Sequence, residues 1–168
     1  MTIANEEGGE VQKKITTFLT YEDRAEDAVE FYIGIFPGSR ITGTTRYGDA
    51  NPAQKGSLMT ATFELAGQEF MALNGGRSFT FAQGISLFVD CESQDEVDEL
   101  WERLSEGGEK GPCGWLTDRF GVSWQVVPRV LGEMLSDPDP ERSQRVMAAM
   151  MKMGKIEIDG LRRAYEGG

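Results

Sequence analysis

Histidine is missing altogether from these 168 residues, and that absence removes several chemistries at once. Imidazole is the commonest ligand for zinc, nickel or iron and the usual activator of a nucleophilic thiol. A Cys-His dyad is therefore excluded. Cysteine is scarce as well: Cys91 and Cys113 make no disulfide framework and are expected as free thiols. Positive charge is short, with 17 Lys and Arg against 28 Asp and Glu, a net charge of −11. Such a field repels phosphate backbones and anionic lipid, so no nucleic acid is expected as a partner. No apolar run approaches the roughly 20 residues that span a bilayer, so no membrane partner is expected either. The N-terminal MTIANEEGGEVQKK lacks the basic start and apolar stretch of a signal peptide, which gives a cytoplasmic expectation.

What is present is enough apolar residue, 39%, for one ordinary domain with an appendage. The densest stretch is Cys113 to Pro128, CGWLTDRFGVSWQVVP, which reads as a hairpin ending in a core strand. Its second strand is aromatic and β-branched, follows Phe120-Gly121 and stops at Pro128. Alternation places Ser123, Gln125 and Val127 on one face and Trp124 and Val126 on the other. An amide amid apolar neighbours needs hydrogen-bond partners, and a ligand is one such partner.

Residues 1–13 are acidic and aperiodic and read as a loose tail. Ile15 to Tyr21 then reads as a strand. Ala25, Ala28, Val29, Tyr32 and Phe36 recur at helical spacing until Pro37-Gly38. Strands follow over Ile41–Tyr47, Ser57–Ala66 and Gln68–Asn74, which completes a βαβββ unit. The second half repeats the order. Ile85 to Cys91 is a strand, and Ser93 with Glu96 forms a capping box before a helix carrying Val97, Leu100, Trp101 and Leu104. Only seven residues separate Gly107 from Trp115, so the next strand is truncated or missing. Beyond Pro128 the pattern is helical. Asp139 and Pro140 open a helix whose Val146, Met147, Met150 and Met151 suggest a core or dimer stripe, and Ile156–Tyr165 reads as a last short helix.

The helix AEDAVEFYIGIFPGSRI, the strand FMALNGG, the segment GISLFVDCESQDEVDELW, the hairpin CGWLTDRFGVSWQVVP and the tail DPDPERSQRVMAAMMKM together resemble PhnB-like proteins. These belong to the vicinal oxygen chelate superfamily, with glyoxalase I, extradiol dioxygenases and fosfomycin- and bleomycin-resistance proteins. The resemblance implies an α+β fold. Two βαβββ modules, 14–76 and 81–128 of a domain spanning 14–128, would curl into half-barrels around a cleft, with a C-terminal helical extension over 129–168. It also implies a homodimer. Some members carry a methyltransferase label, yet no glycine-rich turn after the first strand offers to seat a donor's nucleoside.

In metal-using relatives four inward side chains hold a divalent ion that stabilises an enolate or oxyanion. The resemblance carries those positions to Thr17, Ala72, Gly84 and Gln125, where relatives usually have Glu at the last. No metal and no cofactor are expected from such a set, and a slip of one residue cannot supply a histidine. The ligand-binding candidates on the implied cleft are Thr17, Asn74, Ser86, Phe88, Ser123 and Gln125, with Ile15 and Leu19 beside Thr17. Gln125 and Asn74 equally fit internal polar groups bonded within the protein. Trp115 and Trp124 fit packing better than stacking platforms. Cys113 is a candidate reactive thiol, and Arg46, Arg77 and Arg119 are candidate anion clamps. Two functions compete: a metal-free protein binding a small oxygenated or aromatic molecule, or an isomerase, lyase or transferase acting on one.

Overall fold

The structure is a computed structural model and describes residues 14–81 and 84–168. The expected loose tail, residues 1–13, lies outside the described residues. The chain divides into two compact units that meet at Phe79 and Thr80.

The first unit runs β1 (Thr17–Tyr21), α1 (Ala25–Ile35), β2 (Arg40–Arg46), β3 (Leu58–Leu65) and β4 (Gln68–Asn74). Its sheet has the order β1-β4-β3-β2, with β1 parallel to β4 and the other pairs antiparallel. Helix α1 buries Ala25, Ala28, Val29, Tyr32 and Ile35, the apolar stripe that its spacing demands. Beneath it lie Phe63 and Phe70, stacked with ring centroids 5.5 Å apart, and Tyr21, whose hydroxyl meets that of Tyr32 at 3.3 Å. The β3–β4 hairpin turns on Ala66 and Gly67, both at positive φ, the backbone a two-residue turn requires.

The second unit repeats this order: β5 (Leu87–Cys91), α2 (Gln94–Ser105), β6 (Glu109–Lys110), β7 (Trp115–Thr117) and β8 (Ser123–Pro128). Its sheet is β5-β8-β7-β6, and β5 again lies parallel to β8. The truncated strand is β6, two residues long. At the start of α2 the expected cap forms with its return bond shifted by one residue: Ser93 Oγ accepts from Glu96 N at 3.2 Å, and Glu96 Oε2 accepts from Glu92 N, just before the N-cap, at 2.7 Å. The architecture is the α+β pair of βαβββ modules implied by the resemblance.

Helices α3 (Arg129–Leu135), α4 (Pro140–Met150) and α5 (Ile158–Glu166) belong to this second unit. Leu131, Val146, Ile156 and Leu161 form their buried core. Backbone bonds fasten them beside the sheet: Cys113 N donates to Met153 O at 2.8 Å and Gly114 N to Gly154 O at 2.7 Å. Gly114 sits at φ +81°, and a Cβ there would fall 2.7 Å from Val126 O. The Gln94 amide joins in, donating to Ile156 O and accepting from Ile158 N at 2.7 Å. The methionine stripe splits in two. Val146 is fully buried and Met150 half-buried, while Met147 and Met151 face outward at 41% and 66% exposure. Among the described residues no helix is long and apolar enough to cross a membrane.

Candidate functional site

Each sheet has one face against its helix and one open face, and β8 shows why. Trp124 and Val126 are buried toward α2, whereas Gln125 and Val127 are half-buried on the other side. Parallel register sets Phe88 beside Gln125, and antiparallel register sets Trp115 beside it on β7. Phe88 is 60% exposed and Trp115 36%, so two aromatic rings flank one amide on the open face. Gln125 Nε2 donates to Ser86 Oγ at 2.9 Å. Its Oε1 has no hydrogen-bond partner among the described residues. Ser123 continues the same face toward Thr117.

Over this face lies a half-open cavity of about 370 Å³, bordered on its other side by helices of the C-terminal extension. Phe88, Trp115, Gln125 and Val127 supply the sheet wall; Leu135 and Met150 supply part of the other. At the rim, Arg129 is held by Asp90 at 2.8 Å and by Glu92 at 3.2 Å, so its charge is already matched. A second hollow of about 440 Å³, lined by Lys110, Pro112, Thr117 and Ser123, adjoins across Trp115. A largely apolar cavity of this size with few polar groups suits a small organic molecule.

Ser86, Phe88, Gln125 and Ser123 thus share one open face. Thr17 and Asn74 belong to the first unit, and there the expected placement needs correction. Thr17 alternates with Leu19 and Tyr21, both buried on the helix side. Leu19 is therefore not a cleft residue, and Ile15 precedes the strand at 91% exposure. The open face belongs to Phe18 and Thr20. On β4 the same holds: Ala72 is fully buried and Asn74 is 7% exposed, both toward α1. Asn74 Oδ1 accepts from Ala25 N at 2.7 Å and its Nδ2 donates to Leu58 O at 3.1 Å. Its amide closes the start of α1 and is used up internally.

The inherited metal positions do not fit a divalent ion. Ala72 faces the helix, Gly84 has no side chain, and Thr17 sits on the helix-facing side of its strand, which leaves one neutral amide. Among the described residues no group of three or more Cys, Asp or Glu is disposed to hold a metal.

Cys113 lines the cavity, half-buried, with its thiol 3.6 Å from Met150 O. Cys91 is fully buried, and desolvation, helped by the negative charges of Glu96 and Asp90, pushes its thiol up to about 12. The arginines have protein partners: Arg46 reaches Gly56 O and Glu26, Arg77 covers Phe79, and Arg119 binds Glu106. Of the two hairpin tryptophans only Trp124 is packing, with its indole N–H on buried Asp118 at 2.9 Å. Asp118 also accepts from Phe120 N and Val122 N, and so organises the turn. The Asp-x-x-Gly spacing of Asp118 and Gly121 was the signal for it. Trp115, by contrast, is a surface of the cavity.

The family described as 3-demethylubiquinone-9 3-methyltransferase matches residues 13–127. Among solved structures, a PhnB protein of Bacillus cereus, named as a candidate 3-demethylubiquinone-9 3-methyltransferase, is 38% identical. That match covers 69% of this chain and 99% of the other at a TM-score of 0.62. A Pseudomonas aeruginosa protein is 22% identical, covering 69% of this chain and 97% of its own, with a TM-score of 0.59. The fosfomycin resistance protein FosX of Listeria monocytogenes, in complex with Mn(II) and sulfate, is 20% identical over 68% of this chain and 90% of its own. Its TM-score is 0.51. No curated protein matches the chain.

Proposed function

Since the chain belongs to the PhnB-like family of the vicinal oxygen chelate superfamily, we propose that it binds a small oxygenated or aromatic molecule on the open face of its second sheet, without a metal. The observation that supports this is the pairing of exposed Phe88 and Trp115 around Gln125 in a cavity of about 370 Å³. Apolar rings supply burial, and the amide supplies orientation. Ser86 fixes the amide through Nε2, and buried Ser123 lines the adjoining hollow. Native mass spectrometry of protein purified from cells should find a retained small molecule, and elemental analysis should find no stoichiometric metal. A chain that carries one equivalent of manganese or zinc, or never retains or binds an organic molecule, refutes this function.

An enzyme acting on a small oxygenated metabolite is the competing reading, and the family description names a methyltransferase. Against methyl transfer, β1 passes into Glu22, Asp23 and Arg24, a turn without glycine and with two carboxylates. Steady consumption of S-adenosylmethionine in the presence of the retained molecule would favour the enzyme.

The protein acts as a homodimer in this reading, with outward-facing Met147 and Met151 covered by a second copy. Sedimentation at micromolar concentration tests it, and a monomer there contradicts it.

A further inference from the structure

The cavity on the second sheet has two walls of different origin. One is the sheet. The other comes from the C-terminal extension, through Gly132 and Leu135 on α3 and Met150 on α4. The family match ends at residue 127, before α3 begins, so this wall lies outside what the family match covers. It is nonetheless firmly held. Leu131 and Val146 are buried in the extension's own core, and Met150 O accepts the weak hydrogen bond from Cys113.

Gly132 is the unusual member. A glycine inside a helix is less favourable than alanine, so its presence asks for a reason. Backbone conformation is not that reason, because Gly132 is absent from the glycines at positive φ. Nor is close packing, since a Cβ added there would meet no atom within 4 Å. Gly132 is exposed and lines the cavity, so the missing side chain leaves open space at the cavity's edge.

We propose that the C-terminal extension completes the ligand pocket and that Gly132 sets how large a group the pocket admits; this rests on the binding function proposed above. The ligand class follows from the walls. Phe88, Trp115, Leu135 and Met150 call for a flat aromatic ring system. Gln125 Oε1, unpartnered among the described residues, calls for a hydroxyl donor on it. Arg129 is already matched by Asp90 and Glu92, so nothing at the rim favours an anion. The ligand is a neutral hydroxylated aromatic of one or two rings.

Calorimetric titration of the full-length protein with 2-naphthol, phenol and 2-methoxynaphthalene tests this. The methyl ether, which cannot donate, should bind about tenfold more weakly than 2-naphthol. Gly132→Ala and then Gly132→Leu should weaken 2-naphthol progressively, the latter by about tenfold, while phenol affinity holds for the alanine variant. Melting temperatures should stay level or rise, because each variant replaces a helical glycine. A folded Gly132→Leu protein with unchanged affinity overturns the role of the extension. If that variant does not fold, equal effects of Gly132→Ala on both probes, or none, overturn it instead. Equal binding of the ether and the naphthol, or retention of a native molecule without any 2-naphthol binding, overturns the ligand class. Failure of the underlying function looks different: no probe binds, no molecule co-purifies, and Gln125→Leu changes nothing.

Discussion

Gln125 and Ser86 meet across the junction of β8 and β5, the amide Nε2 donating to the serine Oγ at 2.9 Å. Because the bond is half-buried and only one of the two amide atoms is engaged, the side chain is fixed in orientation yet still able to accept from a ligand. Gln125→Leu keeps a side chain of similar size on the strand. It should weaken binding of the co-purifying molecule by about 1–3 kcal/mol and lower fold stability by no more than about 1 kcal/mol. Parallel measurement of affinity and melting temperature checks this. A large fall in melting temperature with unchanged affinity would make Gln125 a structural residue.

Asn74 should behave in the opposite way. Its two bonds join the start of α1 to β3 inside the first unit. Asn74→Ala removes the side-chain partner of Ala25 N and of Leu58 O and should cost about 2–4 kcal/mol in urea unfolding. Asn74→Asp keeps the acceptor but loses the donor and buries a charge, so it should recover little. Recovery to wild-type stability by the aspartate would show that the bond to Leu58 O contributes nothing.

The contrast between these residues shows what the sequence made legible. β8 was readable because its outer positions are polar or aromatic and its inner ones are Trp124 and Val126. That difference reveals which face points inward. On β1 and β4 the open face is itself apolar, with Phe18, Met71 and Leu73, so period two gives no sign of which face is buried. The resemblance puts Thr17, Leu19, Ala72 and Asn74 on the cleft, and alternation offers no correction, whereas the strands turn them toward the helix side. Asn74 added to the error, since a polar side chain suggests the cleft until its role in closing a helix is visible. The wall formed by Gly132, Leu135 and Met150 was hidden for another reason: Cys113 and Met150 come together through tertiary packing that no local pattern encodes. A glycine within the helical pattern RVLGEML was the one hint.

Cys91 makes a prediction about alkaline pH. Its thiol is ordinarily half-ionised near 9.0, and burial raises this to about 12 in the folded protein. Between those values the folded chain holds a proton that the unfolded chain has released, so stability is full below the unfolded value and falls as pH rises. The slope reaches at most about 1.4 kcal/mol per pH unit. Urea unfolding from about pH 8 to about pH 11, compared with Cys91→Ala, isolates this contribution. The variant should lose stability less steeply, and identical slopes would mean that the thiol is not held neutral. Alkylation of the native protein should correspondingly reach half-buried Cys113 before Cys91.

The C-terminal extension should be indispensable to the second unit. Ending the chain after Asp137 removes Val146, Ile156 and Leu161, three of the four buried residues of the cluster around Leu131. The carbonyls of Met153 and Gly154, which accept from Cys113 and Gly114 at the entrance to β7, are removed with them. Gln94 then has neither Ile156 O nor Ile158 N, and Asp98 loses the Lys155 ammonium at 2.6 Å. An appendage that only decorated the surface would leave the melting transition almost unchanged. Here the truncated protein should aggregate or show a second unit without a cooperative transition, while the first unit, which owns none of these contacts, keeps its own. The milder Ile156→Ala, at a fully buried position, should lower stability by about 2–5 kcal/mol through the cavity it creates. It should also weaken ligand binding, because the helices it loosens carry Leu135 and Met150. Hydrogen exchange resolved by segment decides the matter: slow exchange retained in β5, β7 and β8 after truncation would show that the extension is dispensable to this unit.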